Sequence, residues 1–228
     1  MDCSKFLELF NPSKVRDRIH IIGCGSVGST IAELLMRYGL KKFDLYDFDI
    51  VEEKNIANQM FRQNDVGQPK VEALKDLMVE INPEAEEDIK IHPEGYIGQE
   101  ISGYVFLAVD DIELRKKICE ENQYNPFIKS VIDVRTGLYD AETRAARWTS
   151  PNDKKILIES MNFTNEEARA ATPVSACGVS FGVAPTVRMV CTVAVANFMN
   201  FLQGKDLARL ILVNPFDFEN NNTVMVIQ

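Results

Sequence analysis

The chain has 228 residues, 46% of them apolar, enough for one full-sized core, so residues 1–228 are read as a single domain. A formal charge of -9 and a pI near 4.9 disfavour non-specific binding to nucleic acid or to an anionic membrane. None of the five cysteines forms a Cys-x-x-Cys pair, which argues against zinc, and with the polar start Met1-Asp2-Cys3-Ser4-Lys5 they read as reduced thiols of a cytoplasmic protein.

In chain order, residues 15–22 end in an apolar run and predict a buried strand. Residues 29–38 place Ile31, Leu34, Leu35 and Tyr38 at helical spacing, with Gly39 as a C-cap. Residues 43–46 predict a second strand. A helix follows from Lys70, with Val71, Leu74, Leu77, Met78 and Ile81 on one face, closed by Asn82-Pro83. Strands are expected at 89–92, 104–109 and 127–134, with a helix at 112–121. Beyond Arg135 the rhythm changes. Residues 137–148 and 156–159 are expected to be strands with no helix between them, and 162–171 a mobile polar crossover. Pro185 opens a long apolar helix to about Gly204. Its Arg188, Asn197 and Asn200 favour a buried helix over a membrane span. Late strands are expected at 207–213 and 223–227. The sum is an α/β, Rossmann-like, doubly wound sheet, mostly parallel, with an antiparallel C-terminal extension.

Gly23, Gly25 and Gly28 have G-x-G-x-x-G spacing between a strand and a helix. The first glycine permits the turn, the second lets a phosphate approach, and the third lets helix and strand pack closely. Amides at the helix start, around Ser26 and Val27, would then face an anion. Asp47 ends the second strand, where an acidic group grips ribose hydroxyls. These features alone fit a nicotinamide-dependent enzyme equally well. Two more separate the readings. Lys70 opens its helix after a Gly-Gln-Pro turn, so its ammonium can reach back to a triphosphate. Asp110 ends the fourth strand, at the sheet edge where α/β ligands bind. Hydride transfer needs neither, whereas chemistry at an ATP α-phosphate uses both.

The glycine turn, Asp47-Phe48-Asp49-Ile50-Val51, Asn55, Gln59, Asp65-Val66-Gly67-Gln68-Pro69-Lys70, Val109-Asp110, and Cys177 ahead of Ala184-Pro185 occur in that order. Together they resemble the ubiquitin-activating type of adenylyltransferase (ThiF/MoeB/HesA type) over residues 15–204. The resemblance implies that ATP lies over the turn, with Asp47 holding the ribose, Asn55 contacting the phosphates, and Asp49, Asn58 and Gln59 among the nucleotide-binding residues. It implies that Lys70 neutralises the triphosphate and Asp110 binds Mg²⁺. The C-terminal carboxylate of a small ubiquitin-fold or sulfur-carrier protein would attack the α-phosphorus, in a homodimeric enzyme.

The chain departs from this pattern in places. Asn58 stands where the family usually has a phosphate-reaching arginine, and Arg62, one turn on, is a candidate substitute. Asp111 stands where relatives often carry asparagine. Cys177 is either an acyl acceptor or a small residue packed under a loop. Arg115 either fixes the metal-binding loop or, the favoured reading, is a solvated helix charge. His20 and His92 read as structural. The alternatives are a non-catalytic scaffold of the same fold and an enzyme for a small-molecule, peptide or tRNA-borne carboxylate, with a nicotinamide dehydrogenase as the outsider.

Overall fold

The computed structural model describes residues 1–171, 182–218 and 223–227. Its eight strands form one sheet in the order β3-β2-β1-β4-β5-β6-β7-β8. The strands are β1 Ile19–Ile22, β2 Phe43–Tyr46, β3 Ile89–His92, β4 Gly103–Leu107, β5 Ile128–Thr136, β6 Ala141–Arg147, β7 Leu210–Val213 and β8 Val224–Ile227. β3, β2, β1, β4 and β5 run parallel, and β6, β7 and β8 extend the sheet antiparallel. The helices are α1 Ser26–Arg37, α2 Lys70–Ile81, α3 Ile112–Glu121, α4 Pro151–Glu159, α5 Asn165–Ala171 and α6 Ala184–Leu202. This is the expected Rossmann-like layout.

Strand alternation sorts the core into two layers. Ile19, Ile21, Phe43, Leu45 and Phe106 face α1, α2 and α6, while Ile22, Tyr46, Val105 and Leu107 join side chains of α3 and α4 on the other face. α6 is apolar and 19 residues long, enough by length to cross a bilayer. Here it packs on α1 and on β5, β6 and β7, burying Val187, Val190, Cys191, Ala194 and Phe198. Phe198 meets Tyr104 and Phe106 edge to face, at ring-centroid distances of 5.0 and 5.2 Å.

Three local expectations are corrected. Residues 156–159 belong to α4 and are not a strand. Ser150 caps that helix by accepting the Asp153 N–H at 3.2 Å, and Pro151 stands at its first position, where a missing N–H costs nothing. The stretch 162–171 contains α5, opened by a reciprocal box in which Thr164 N donates to the Glu167 carboxylate at 2.8 Å and Glu167 N donates to Thr164 Oγ1 at 3.1 Å. The third concerns α1, which begins at Ser26 against the glycine turn rather than at residue 29.

Candidate functional site

β1 has β2 on one side and β4 on the other, so the strand order reverses around it and a crevice opens at the carboxyl ends of the strands. The glycine turn leaves β1 into that crevice, and its three glycines meet different surroundings. Gly23 has φ +95°, and a Cβ there would lie 2.7 Å from the backbone of Ala108 and Val109, so the turn rests on the end of β4. At Gly28 a Cβ would fall 1.8 Å from the Gly23 carbonyl oxygen. At Gly25 a Cβ would meet nothing within 4 Å. Two glycines therefore lock the turn, and the third leaves space in front of α1. Ser26 and Val27 begin α1, whose first amides have no helical acceptor and point into that space.

Asp47 is built into the turn. Its carboxylate accepts the Cys24 N–H at 2.7 Å and the Asp49 N–H at 2.9 Å. Burial raises its pKa, against the opposing pull of those bonds and of Lys70. Lys70 is 7% exposed and donates from Nζ to Asp49 Oδ2 at 2.7 Å, while Asp49's side chain is half exposed. Its backbone is held as well, because Lys70 N donates to Asp49 O at 2.9 Å. Asp47, Asp49 and Lys70 thus converge on the turn through a chain of direct contacts. Asp110 is exposed and directly follows the Ala108-Val109 backbone on which Gly23 rests.

The loop after β2 carries the amide residues. Asn55 is buried and its Oδ1 accepts the Glu52 N–H at 2.8 Å, capping a short 3₁₀ turn and leaving its NH₂ as the group for a ligand. Asn58 donates from Nδ2 to Gly182 O at 3.1 Å, tying this loop to the residues before α6. Gln59 Oε1, on the same loop, is buried with no hydrogen-bond partner among the described residues, an orphaned acceptor. Arg62 turns elsewhere. Its Nη1 donates to both oxygens of Glu80 at 2.9 and 2.7 Å, and Nε lies 3.5 Å from Asp65. The structure does not bring Arg62 to the turn. Cys177 lies outside the described residues.

Arg115 corrects the favoured reading of a solvated charge. It is buried and its Nε donates to Val109 O at 2.6 Å, while Nη1 donates to Val134 O at 2.8 Å and to the fully buried Asp133. The guanidinium pins the carbonyl immediately before Asp110 and so fixes that loop. Asp111 is the N-cap of α3, accepting from Leu114 N and from Asn165 Nδ2, both at 2.9 Å, and this docks α5 on the loop. Those two bonds help lower its pKa, although burial opposes them.

His20 and His92 line a separate network on the far face of β1–β3. Ser102 N donates to His20 Nε2 at 3.2 Å, so Nδ1 carries the proton toward Tyr46 Oη at 3.0 Å. Burial keeps that imidazole neutral, with a pKa lowered from 6.5 to about 4. His92 stacks on Tyr46 at 4.2 Å and meets Asp44 at 3.0 Å. The side-chain bonds of this network run to Asp44, Tyr46 and Ser102 rather than to the glycine turn.

ATP and Mg²⁺ can be tested against this donor set. Open space at Gly25, free helix-start amides, the Lys70 ammonium and the orphaned Gln59 oxygen suit a nucleoside triphosphate. Among the described residues no three His, Cys, Asp or Glu side chains cluster as a metal cage. Mg²⁺ uses one or two carboxylates with phosphate oxygens and water, and the exposed Asp110 carboxylate fits that chemistry.

Comparison with known proteins follows the same line. The family model described as "ThiF family" matches residues 13–226. Ubiquitin-like modifier-activating enzyme 5 of Caenorhabditis briggsae is 38% identical over 80 residues, 35% of this chain and 18% of that protein. The enzyme of the same name from Drosophila virilis is 30% identical over 142 residues, 52% of this chain and 34% of that protein. The chain therefore covers well under two thirds of these relatives. Among solved structures, PaaA superposes with a TM-score of 0.67 at 17% identity, covering 93% of this chain and 64% of that one. Escherichia coli MccB with ATP superposes at 0.65 and 17% identity, covering 92% and 62%. At that identity the likeness speaks to the fold.

Proposed function

The chain belongs to the ThiF family, and on that premise we propose that it is an ATP- and Mg²⁺-dependent adenylyltransferase acting on the C-terminal carboxylate of a small ubiquitin-like or sulfur-carrier protein. The observation that carries this reading is the chain of contacts from Cys24 N through Asp47 and Asp49 to a buried Lys70, beside an open glycine turn. In the proposed complex the turn's amides hold phosphate oxygens and Asp47 accepts from ribose hydroxyls. Lys70 exchanges Asp49 for the triphosphate. Mg²⁺, held by Asp110, would supply charge neutralisation at the phosphates. The substrate carboxylate oxygen bonds to the α-phosphorus as the bond to the β-phosphate oxygen breaks, and pyrophosphate leaves with that electron pair. The nucleophile is already ionised at neutral pH, so the protein supplies alignment and positive charge and needs no base. Attack of the Cys177 thiolate on the acyl carbon of the adenylate, breaking the acyl–phosphate bond with AMP leaving on that electron pair, and a homodimeric assembly, belong to the same proposal.

The relatives named as modifier-activating enzymes support the substrate class, and the MccB structure with ATP supports the nucleotide. A specific observation favours a second reading, a scaffold subunit without chemistry. Asn58 is neutral and engaged with Gly182, and Arg62 is engaged with Glu80. Another alternative keeps the chemistry but acts on a peptide, small-molecule or tRNA-borne carboxylate.

ATP–pyrophosphate exchange, run with a panel of small ubiquitin-fold proteins and with short peptides, separates these readings. Exchange that depends on a ubiquitin-fold protein and falls with Asp110→Ala supports the proposal. Tight ATP binding without exchange supports the scaffold. Exchange driven by peptides alone moves the substrate class.

A further inference from the structure

We propose that Arg188, near the start of α6, is a phosphate-binding residue of this site, directed at the outer phosphates of the triphosphate. The inference rests on the ATP reading above. Arg188 Nη1 donates to Thr30 Oγ1, and Thr30 in turn donates to Ser26 O at 2.8 Å. Two hydrogen bonds thus separate the guanidinium from the first residue of α1 at the open turn. The same Nη1 touches Met60 Sδ, and Met60 N donates to Ser29 Oγ at 3.2 Å. Arg188 is therefore wedged between α1 and the loop that carries Asn58 and Gln59.

Several other arginines are ion-paired. Arg18 pairs with Asp44, Arg37 with Glu33, Arg62 with Glu80 and Arg115 with Asp133. Arg188, half-buried, has no carboxylate partner among the described residues; the groups it touches there are a hydroxyl and a thioether. A guanidinium stays charged at every working pH, and withdrawing it from water without a counter-charge is unfavourable. It has five N–H donors in a planar fork, and its Nε and Nη2 groups have no acceptor among the described residues. That fork matches two phosphate oxygens. The glycine turn and α1 amides serve the phosphate nearest the ribose. A cation one helical turn farther along α1 serves the charge beyond it. The role that Asn58 and Arg62 leave open is filled from α6, which counts against the scaffold reading.

Calorimetric titration with AMP and with Mg-ATP tests this on wild type, Arg188→Met and Arg188→Lys, with thermal unfolding as the check on the fold. Losing a charge-assisted fork should weaken Mg-ATP about ten- to hundredfold in Arg188→Met and leave AMP within about twofold. Arg188→Lys, which keeps the charge without the fork, should fall between, and it carries the test if the methionine variant does not fold. Mg-ATP affinity unchanged in both variants, or AMP and ATP weakened equally, overturns the inference alone. A wild type that binds Mg-ATP no tighter than AMP overturns the functional reading and this inference with it.

Discussion

Two ion pairs lie at the carboxyl edge of the same sheet, and they differ in what remains for a ligand to do. Arg115–Asp133 is sealed, with side-chain exposures of 8% and 0% and two main-chain carbonyls taking up further donors. Lys70–Asp49 has a buried ammonium but a carboxylate that is 52% exposed. A sealed pair is expensive to break and has nothing to exchange, so it fixes the Val109–Asp110 loop. An open pair is worth little to stability and releases its cation readily to a better anion. The contrast recurs within the glycine turn, where Gly28 is closed by backbone and Gly25 faces space. Closed positions build the crevice and open positions are left for its occupant.

The largest expected effect is at Gly28→Ala. Its Cβ would sit 1.8 Å from a main-chain oxygen, and the cost should be on the order of 4 kcal/mol or more, read as loss of the cooperative urea transition. Gly25→Ala should unfold within about 1 kcal/mol of wild type but lose Mg-ATP affinity at least about tenfold, because the methyl occupies the space for phosphate. Equal stability losses in the two variants would erase the distinction.

Arg115→Met comes next. It leaves Asp133 buried with Arg135 as its remaining ion-pair partner and should cost roughly 3–5 kcal/mol in urea denaturation, whereas Lys70→Met should cost less than about 1 kcal/mol. A reversed order would mean that the crevice pair, not the sealed one, holds the fold.

The smallest effect lies away from both pairs, at His20. Its folded pKa, about 4, is below the unfolded value near 6.5, so the neutral form is the native one. Its contribution is present above pH 6.5 and is lost as pH falls toward 4, at most roughly 3 kcal/mol. His20→Asn should flatten that limb of the stability–pH curve without changing nucleotide affinity at pH 7.5. A limb of unchanged height would assign it to other groups.

What the sequence made legible was local. The glycine turn, Asp47 at the end of β2 and Lys70 at the start of α2 are fixed by spacing within one βαβ stretch, and they lie together in the crevice. The helix signals Ser150-Pro151 and Thr164 to Glu167 were present in the chain. A short apolar run at 156–158 reads equally as strand or helix, and a polar stretch at 162–171 hid its cap. Arg115 and Arg188 could not be placed from spacing. The burial of one depends on Asp133, 18 positions on, and the position of the other on Thr30, 158 positions back. The one trace of Arg188 in the sequence is its isolation, a single charge in a 19-residue apolar helix.

Titration of the wild-type protein and of Lys70→Met with Mg-ATP decides whether the open pair serves a nucleotide. Binding should saturate in wild type and weaken about ten- to hundredfold in Lys70→Met, with unfolding midpoints nearly the same. No binding to wild type, or equal binding to both, would contradict that role.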